Sequence, residues 1–328
     1  MMGSARGSVI CLRPRRDFEQ VGVGVPDDLE VEYFESEREL DRITPTVTAL
    51  VLPSAGPALA PEMFADARDL ALVQYTGAGI DRIGDDVIAR LGCAVCNVPG
   101  ASAPDVASYV ALAAGVLLRN VIEGDRLMKA GMFAEARSRM VPALVRGYRG
   151  LRVGVVGFGS IGFEVATTFR ALGAEVMWYD PEPAAVDASG VFERVGLDEL
   201  LERCEVLTVH VPLLASTRGL IDAAALARLP RGAVVINAAR GGIVEEVALM
   251  DALDSSHLGG VVLDVFESEP LPGDSPLVPW AQRHADRVLL TPHIAGVTPE
   301  ASRVLFERAW SNVRSVLLEG GEPRHRLR

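Results

Sequence analysis

Long apolar runs are absent from this sequence. No stretch approaches the roughly 18 uninterrupted apolar residues that a membrane-spanning helix needs. Residues 1–8 are polar and contain Gly and Ser, whereas a secretory signal has an apolar core. The usual sequence signatures of membrane insertion and export are therefore missing. We predict a cytoplasmic protein with no membrane partner.

Positive charge is in deficit. The chain of 328 residues has 32 Lys and Arg against 44 Asp and Glu, so its formal net charge is −12 and its pI is near 5.0. On average such a surface repels polyanions. This balance opposes a nucleic-acid partner, and we expect none.

Cysteine is scarce, with four residues in the chain. Cys93 and Cys96 form one C-x-x-C pair, and no second pair or histidine pair is present to complete a zinc site. All four cysteines lie in apolar, strand-like contexts. We predict buried reduced thiols and no metal.

The length and the apolar content indicate a two-domain globular protein. A chain of 328 residues exceeds what one hydrophobic core usually organises, and 49% of the residues are hydrophobic. Up to residue 100, short apolar runs alternate with amphipathic stretches, as is typical of buried parallel strands with helices between them. These runs are VICL at 9–12, TALVLP at 48–53, LALVQYT at 70–76 and AVCNVP at 94–99.

A second α/β pattern occupies the rest of the chain. Apolar residues such as Val106, Val110 and Leu117 recur at threes and fours, which predicts a helical stretch over 104–132. Six apolar runs with helices between them then predict a doubly wound parallel sheet. They are LRVGVVGFG at 151–159, AEVMWYD at 174–180, VLTVHVP at 206–212, GAVVINAA at 232–239, GGVVLDVF at 259–266 and RVLLTPHI at 287–294.

A dinucleotide-binding motif lies at the first of these six runs. Gly157, Gly159 and Gly162 have G-x-G-x-x-G spacing between a predicted strand and a predicted helix. The first glycine permits a tight turn, the second lets the backbone approach a pyrophosphate, and the third allows close packing of helix on strand. The helix N-terminus then faces the phosphates.

The next predicted strand ends in Asp180, eighteen positions after Gly162 and close to the expected spacing of about 20 for the carboxylate that bonds the adenosine ribose. A carboxylate at this point repels a 2′-phosphate. The following Pro181-Glu182-Pro183 contains no arginine to receive one. We therefore predict NAD as the cofactor in preference to NADP.

Several segments together resemble the D-isomer-specific 2-hydroxyacid dehydrogenase family, which includes phosphoglycerate, glycerate, glyoxylate/hydroxypyruvate and D-lactate dehydrogenases. They span most of the chain in the family's order. The segments are VQYTGAGID at 73–81, NVPG at 97–100, VGFGSIG at 156–162, VHVPLLASTRGLI at 209–221, INAARGGIVEE at 236–246, LDVFESEPL at 263–271 and LLTPHIAGVT at 289–298.

This resemblance implies a fold, a domain division and an assembly. A smaller, flavodoxin-like α/β substrate domain is expected from residues 1–100 and 291–328, and a Rossmann-type NAD-binding domain from residues 101–290. The family also forms homodimers, with the helices after NVPG and the region of 120–150 in the contact.

The resemblance further implies an NAD-dependent interconversion of a D-2-hydroxy acid and its 2-oxo acid. His293 matches the family's acid/base, Glu269 the carboxylate that hydrogen-bonds it, and Arg240 the arginine that binds the substrate carboxylate. A histidine can donate and recover a proton near neutral pH, and a planar guanidinium suits a carboxylate. The substrate-binding positions implied are Thr76, Gly77, Ala78, Gly79, Arg240 and His293.

The cofactor-binding positions implied are Gly157, Gly159, Ser160, Ile161, Gly162, Asp180, His210, Pro212, Thr217, Ala238, Ala239, Arg240, Asp264, His293, Ala295, Gly296 and Val106. His210 is interpreted as scaffold beside the cofactor. Val106 and Thr217 are matched on less of the motif than the others.

The sequence departs from the family pattern at two points and leaves the substrate open. Ser108 stands where the family has Glu, and Arg82 where it has Asn; we interpret Arg82 as facing solvent, with a place near the substrate loop as the alternative. We also hypothesise that Arg13, Arg15 or Arg16 accepts a second anionic group of the substrate. Alternative functions are an NAD(H)-sensing corepressor-like protein and a relative acting on a phosphonate or sulfonate.

Overall fold

The computed structural model describes residues 7–24, 26–143, 145–182 and 191–327. The chain divides into two compact units, Met1–Ser102 with Val297–Arg328, and Ala103–Gly296. The chain returns to the smaller unit after Gly296, six residues beyond the boundary predicted at 290/291, because Asp264 accepts hydrogen bonds from the amides of Ile294 and Ala295.

The smaller unit is built on a five-stranded parallel sheet in the order β2-β1-β3-β4-β5. This is the flavodoxin-like order, so the predicted fold class is confirmed for this unit. The strands are β1 (Ser8–Cys11), β2 (Glu30–Tyr33), β3 (Val47–Leu52), β4 (Leu72–Tyr75) and β5 (Ala94–Cys96), and the helices are α1 (Arg15–Gln20), α2 (Asp85–Leu91) and α11 (Pro299–Leu317), with 3₁₀ turns at Glu37–Glu39 and Pro61–Phe64.

Helix α11 fastens the later part of the chain to this sheet. Its buried face packs Phe306 and Trp310 against Phe18 of α1, with ring centroids 4.6 and 5.4 Å apart. Asn312 Nδ2 donates to the buried Gln74 Oε1 of β4 over 2.8 Å. Beyond the helix, the amide of Leu327 donates to the Val95 carbonyl, so the segment after α11 runs along β5.

The larger unit has a seven-stranded parallel sheet in the order β12-β11-β10-β9-β6-β7-β8. The Rossmann order is present with an added strand beside β11, which confirms the predicted doubly wound sheet. The strands are β6 (Arg152–Val156), β7 (Glu175–Tyr179), β8 (Glu193–Arg194), β9 (Val206–Val209), β10 (Ala233–Asn237), β11 (Leu258–Leu263) and β12 (Val288–Leu290).

Helices cover both faces of this sheet, because alternate strand residues are apolar on each side. Val234 and Ile236 of β10 face one core cluster, whereas Ala233 and Val235 face the other. The helices are α3 (Ala103–Leu118), α4 (Val121–Lys129), α5 (Phe133–Ala143), α6 (Ser160–Ala171), α7 (Leu197–Arg203), α8 (Ala223–Arg228), α9 (Glu246–Asp254) and α10 (Leu277–Arg283).

The helix predicted over 104–132 is wrong as one element, since it is divided into α3 and α4. The break lies at Asn120, whose φ of 51° is left-handed and cannot continue a helix. No single helix in the described ranges is long and apolar enough to cross a bilayer, and α3 with α4 meets that test only as a pair bent by 59°.

Two edge strands were not predicted. β2 has the sequence EVEY with exposed glutamates, and β8 consists of Glu193 and Arg194 alone. Short charged strands are typical of sheet edges, where only one side is paired. Their composition therefore hid them from a search for apolar runs.

Candidate active site

The glycine-rich turn follows β6 and leads into α6. Gly157 has a φ of +93°, and a Cβ there would lie 2.6 Å from the carbonyl carbon of His210. At Gly162 a Cβ would lie 2.0 Å from the Gly157 oxygen, so α6 packs directly on the turn. A Cβ at Gly159, by contrast, would meet no atom of the described chain within 4 Å beyond its own neighbours. Gly157 and Gly162 are thus packed against backbone, whereas the space beside Gly159 is open. A turn that binds a pyrophosphate requires this arrangement.

Asp180 lies immediately after β7 and faces this turn. Its Oδ2 accepts from the amide of Phe158 over 2.6 Å, and its Oδ1 accepts from the amide of Glu182 over 2.9 Å. The carboxylate is therefore held at the turn by two backbone donors. The glycines, the start of α6 at Ser160 and this acid fit an adenine dinucleotide.

His293 and Glu269 form a direct pair. His293 Nδ1 lies 2.8 Å from Glu269 Oε2, and Glu269 Oε1 accepts from the Phe266 amide over 3.0 Å. Burial opposes ionisation of Glu269, but its hydrogen bond with His293, the His293 charge, the Phe266 amide and the Arg240 charge outweigh burial, so the pKa of Glu269 is lowered. Because the ionised carboxylate engages Nδ1, it fixes the imidazole ring. Nε2 is the ring nitrogen that this pair does not use.

Asp264 holds the loop that carries His293. It is fully buried, and its Oδ1 accepts from Thr291 Oγ1 over 2.6 Å and from the Ile294 amide over 2.9 Å. Its Oδ2 accepts from the Ala295 amide over 2.8 Å. His293 itself has a left-handed φ of 55° and donates its amide to the Asp264 carbonyl. The hydrogen bonds of this one buried carboxylate thus stabilise the loop in which His293 adopts its strained conformation.

Arg240 follows β10 in a turn that Asn237 stabilises. Asn237 Nδ2 donates to the Arg240 carbonyl over 2.9 Å, and its Oδ1 accepts from the Ala239 amide. The guanidinium donates through Nη1 to the Ala239 carbonyl over 2.8 Å. Arg240 is close enough to contribute to the lowered pKa of Glu269, so the structure brings the three predicted catalytic residues together.

The comparisons with known proteins identify the family of this chain. Residues 111–295 match the family model of the D-isomer-specific 2-hydroxyacid dehydrogenase NAD-binding domain. The chain belongs to this family. It therefore binds NAD through that domain. A (S)-sulfolactate dehydrogenase from Chromohalobacter salexigens is 38% identical over 78% of this chain and 80% of that protein.

A D-3-phosphoglycerate dehydrogenase from Archaeoglobus fulgidus is 34% identical over 84% of this chain. This chain spans about half the length of that relative, 50%. Among solved structures, a D-2-hydroxyisocaproate dehydrogenase matches with a TM-score of 0.79 and 25% identity, over 95% of this chain and 97% of that one. The 2-hydroxyacid dehydrogenase fold is therefore shared over nearly the whole chain.

The other residues that the resemblance assigned to NAD all lie in the larger unit. Ser160 and Ile161 open α6, and Ala238 and Ala239 precede Arg240. Thr217 is buried, and its hydroxyl accepts from the Leu214 amide and donates to the Pro212 carbonyl. Val106 is buried in the core beside α6, and Gly296 follows Ala295 at the end of the larger unit.

His210, at the end of β9, is neutral at ordinary pH. Burial lowers the pKa of His210 to about 3. Its Nε2 lies 2.9 Å from Thr208 Oγ1, while Nδ1 is buried and makes no hydrogen bond to the described part of the chain. Its backbone packs against Gly157, which agrees with the predicted scaffold position.

Two further carboxylates tie the Arg240 loop to the Glu269 loop, and they were missed by sequence reasoning. Glu267 donates its amide to Glu246 Oε1 over 2.7 Å, and Glu246 donates its amide to Glu267 Oε1 over 3.3 Å. The two loops also touch through their backbones. A Cβ on Gly241 would lie 1.8 Å from the carbonyl oxygen of Phe266. The acids in IVEE and FESE were the available sequence signal.

The predicted substrate loop follows β4 in the smaller unit. The Thr76 amide donates to the Leu52 carbonyl, the Gly77 carbonyl accepts from the Val98 amide, and the Ala78 carbonyl accepts from Asn97 Nδ2 over 2.7 Å. The loop is thus tied to the strands on both sides. Gly79 follows within it.

The prediction that Arg82 faces solvent is wrong. Its side chain is 2% exposed and donates to the Pro57 carbonyl over 2.9 Å and to Glu37 over 3.1 Å. Burial lowers the pKa of Arg82, although Glu37 opposes this effect. The guanidinium therefore braces a neighbouring loop from within the fold.

The four cysteines are buried and unpaired, as the sequence predicts. Cys11, Cys93, Cys96 and Cys204 are free and buried, and burial raises the pKa of all four thiols. Over residues 7–24, 26–143, 145–182 and 191–327, no group of His, Cys, Asp and Glu could hold a metal ion.

Proposed function

We propose that this protein interconverts a D-2-hydroxy acid and its 2-oxo acid with NAD(H). The observation that carries the proposal is the 2.8 Å pair of His293 Nδ1 and Glu269 Oε2, with Arg240 near enough to influence the same carboxylate. A proton donor, a group that orients it and a cation for a carboxylate are the parts that 2-oxo acid reduction requires.

The chain's own residues handle the proton and the orientation. In the reductive direction His293 gives a proton to the carbonyl oxygen, and in the oxidative direction it removes the hydroxyl proton. Glu269 stabilises the imidazolium before the proton leaves. NAD(H), when bound, supplies or accepts the hydride at the adjacent carbon.

Arg240 binds the substrate carboxylate through its planar fork and polarises the carbonyl beside it. The family resemblance also assigns the amides of Ala78 and Gly79 to substrate binding, and glycine allows such a close backbone approach. Fixing the carboxylate orients the carbonyl carbon, which is how binding energy becomes rate.

The test is NADH consumption with a panel of 2-oxo acids. We expect turnover that falls by roughly 10²- to 10⁴-fold in His293→Ala, the loss typical of a missing general acid. His284→Ala is the matched control, because His284 Nε2 also pairs with a carboxylate, Asp254, at 2.6 Å in the same unit. NADH binding with no turnover of any 2-oxo acid contradicts the proposal and favours an NAD-sensing role.

We also propose a homodimer formed through α3, α4 and α5. Large apolar side chains are exposed along these helices and the turn between the last two, including Leu112 at 67% and Phe133 at 57%. Exposed apolar surface of this kind marks protein–protein contacts. The members are Leu112, Val121, Met128, Met132, Phe133 and Val141.

Light scattering tests the assembly. We expect a dimer for the native chain and a monomer for the double variant Leu112→Asp with Phe133→Asp. Leu172→Asp is the control, since Leu172 is a leucine of the same unit that lies just after α6 and is 45% exposed. A native chain that scatters as a monomer refutes the proposal.

We also propose a cytoplasmic location. The proposal is supported by the four free thiols, because reducing compartments keep cysteines unpaired.

A further inference from the structure

Tyr109 connects helix α3 to the loop that carries His293. Its hydroxyl is hydrogen-bonded to Thr291 Oγ1, although the two residues are 182 positions apart in the chain. Thr291 follows β12 and precedes His293 by two positions. All three residues belong to the larger unit, so the contact lies within one compact body. A core helix thereby reaches the loop of the proton donor.

The direction of this hydrogen bond is set by the next one. Thr291 Oγ1 donates to Asp264 Oδ1 over 2.6 Å. A threonine hydroxyl has one proton, so Tyr109 must be the donor to Thr291. Burial and the Asp264 charge raise the pKa of Tyr109, while the bond to Thr291 opposes them, so the phenol keeps its proton. Two hydroxyls thus donate in sequence toward one carboxylate.

The donors that bond the Asp264 carboxylate are all neutral. They are the Thr291 hydroxyl and the amides of Ile294 and Ala295, the two amides at 2.9 and 2.8 Å. Asp264 is 0% exposed. In such an interior, a hydrogen bond becomes stronger when its donor group accepts a further hydrogen bond. Tyr109 therefore strengthens the hold on Asp264 through Thr291.

The same aspartate fixes the backbone of His293. The His293 amide donates to the Asp264 carbonyl over 2.8 Å, and the next two amides bond the Asp264 carboxylate. The φ of 55° at His293 is a left-handed conformation that persists only when its surroundings hold it. In this conformation the ring meets Glu269 through Nδ1 at 2.8 Å. A weaker hold on Asp264 would loosen that contact.

We propose that Tyr109 is a positioning residue for His293, acting through Thr291 and Asp264. Its hydroxyl completes the donor chain that keeps the His293 loop in the conformation in which Nδ1 meets Glu269. The inference rests on the proposed function, in which His293 transfers the proton. It adds a side chain of α3 to the groups that orient the ring.

The tautomer of His293 is the first measurement, because it requires no substrate. A neutral ring bonds the Glu269 carboxylate only if Nδ1 carries the proton, whereas a released ring shares the proton with Nε2. Nitrogen-15 shifts distinguish protonated from unprotonated ring nitrogens. The chain has five histidines, so His293 can be assigned by comparison with His293→Ala. At alkaline pH we expect a protonated Nδ1 in the native chain and a smaller Nδ1-protonated fraction in Tyr109→Phe.

Tyr148→Phe is the matched control. The Tyr148 hydroxyl also bonds α3, but at the Ala111 carbonyl, and this tyrosine is partly buried like Tyr109. Thr291→Ser keeps a hydroxyl and should have the native tautomer, whereas Thr291→Val should lose it. Because Tyr109 acts through Thr291, adding Tyr109→Phe to Thr291→Val should change the tautomer no further.

Turnover supplies the second measurement. For the best 2-oxo acid, we expect kcat of Tyr109→Phe to fall by about three- to tenfold, as for the loss of one ordinary hydrogen bond, with KM close to native. Tyr148→Phe should keep the native kcat. A merely structural role would lower the unfolding temperature and leave the tautomer unchanged. A native tautomer in Tyr109→Phe, or equal losses in both variants, overturns the inference.

Failure of the proposed function has a different signature. If the native chain turns over no 2-oxo acid, the proposed function is wrong, and the tautomer comparison still decides whether Tyr109 positions His293. If the native chain is active and the tautomer is the same in Tyr109→Phe, the inference alone falls.

Discussion

The carboxyl ends of the two parallel sheets differ in how they use charge. At the larger sheet, four ionisable residues follow four different strands: Asp180, Arg240, Glu269 and His293. Backbone amides donate hydrogen bonds to the two acids, Asp180 and Glu269. At the smaller sheet, Arg82 of the substrate loop is buried and donates hydrogen bonds to a neighbouring loop. One unit presents ionisable groups for chemistry, and the other uses its charge to fix the shape of neutral loops.

The comparison shows that the ends of two similar sheets can be ordered in two ways, by hydrogen bonds to ionisable groups or by close packing of neutral ones. Around His293, hydrogen bonds to the ring and to the Phe266 amide favour the ionised state of Glu269. Around Gly77, close packing leaves no room even for a methyl group beside Ser54. Substitutions should therefore change stability and chemistry differently in the two places.

The largest loss of stability is expected at Gly162, where α6 packs directly on the backbone of the glycine-rich turn. Gly162→Ala places a Cβ 2.0 Å from the Gly157 oxygen, so we expect a loss of about 3 kcal/mol in the stability of the larger unit. Gly159→Ala is the matched control: its φ of −77° suits alanine and its surroundings are open.

Gly159→Ala should have the same unfolding temperature as the native chain. It should bind NADH more weakly, since the added methyl group lies where the pyrophosphate approaches. Thermal unfolding and NADH titration of both variants separate the two effects. Native-like NADH affinity in Gly159→Ala would refute the assignment of the cradle.

Arg82→Met should come next, with a loss of about 2–3 kcal/mol in stability. It leaves the Pro57 carbonyl and Glu37 without their donor, and breaking a buried pair costs more than the pair contributes. Arg90→Met is the control, because Arg90 is an exposed partner of Asp86 at 66%. Chemical denaturation measures both; equal midpoints would mean that Arg82 does not brace the loop.

Arg240→Lys tests the charged end of the larger sheet. Lysine keeps the charge but loses the planar fork, so we expect kcat/KM for the best 2-oxo acid to fall by about tenfold or more, mostly through KM. Arg228→Lys, on α8 and paired with Asp198 and Glu202, is the control. An unaltered KM in Arg240→Lys would argue against its contact with the substrate carboxylate.

The smallest effect, for a change of one pH unit below 6.5, concerns protonation. His210 has a pKa of about 3 in the folded chain against an ordinary 6.5, so below 6.5 the unfolded chain binds a proton that the folded chain refuses. Stability therefore falls as pH drops through this window, by at most about 1.4 kcal/mol per pH unit.

His210→Gln should remove this contribution and flatten the decline in unfolding temperature on acidification. His257→Gln, which loses a ring bonded to the Leu226 carbonyl, is the comparison variant. Parallel pH curves for native chain and His210→Gln would show that the ring takes up its proton while folded.

The apolar cores of both sheets could be predicted from the sequence, because buried strands such as VTALVL and AVVIN are short apolar runs closed by turn or polar residues. It did not reveal β2 or β8, whose glutamates and arginine look like surface, nor the break at Asn120 inside an otherwise helical pattern. Edges and breaks depend on what lies beside the chain, and periodicity does not report this.

The candidate site divides in the same way. Arg240, Glu269 and His293 could be selected by motif, and the structure brings them together. The cross-tie of Glu246 with Glu267 and the burial of Arg82 could not, since each depends on a partner about 20 or more residues away whose approach only tertiary folding creates. A charged side chain looks exposed until its partner is known.

The division of the smaller unit into two chain segments bears on the order of events during synthesis. Residues up to Ser102 leave the ribosome long before Val297 does, and the whole larger unit lies between them. Until α11 arrives, Phe18 and Gln74 lack Trp310 and Asn312. The larger unit can therefore fold first, while the early strands wait with one face uncovered, which makes this interval the time of greatest exposure to aggregation or chaperone capture.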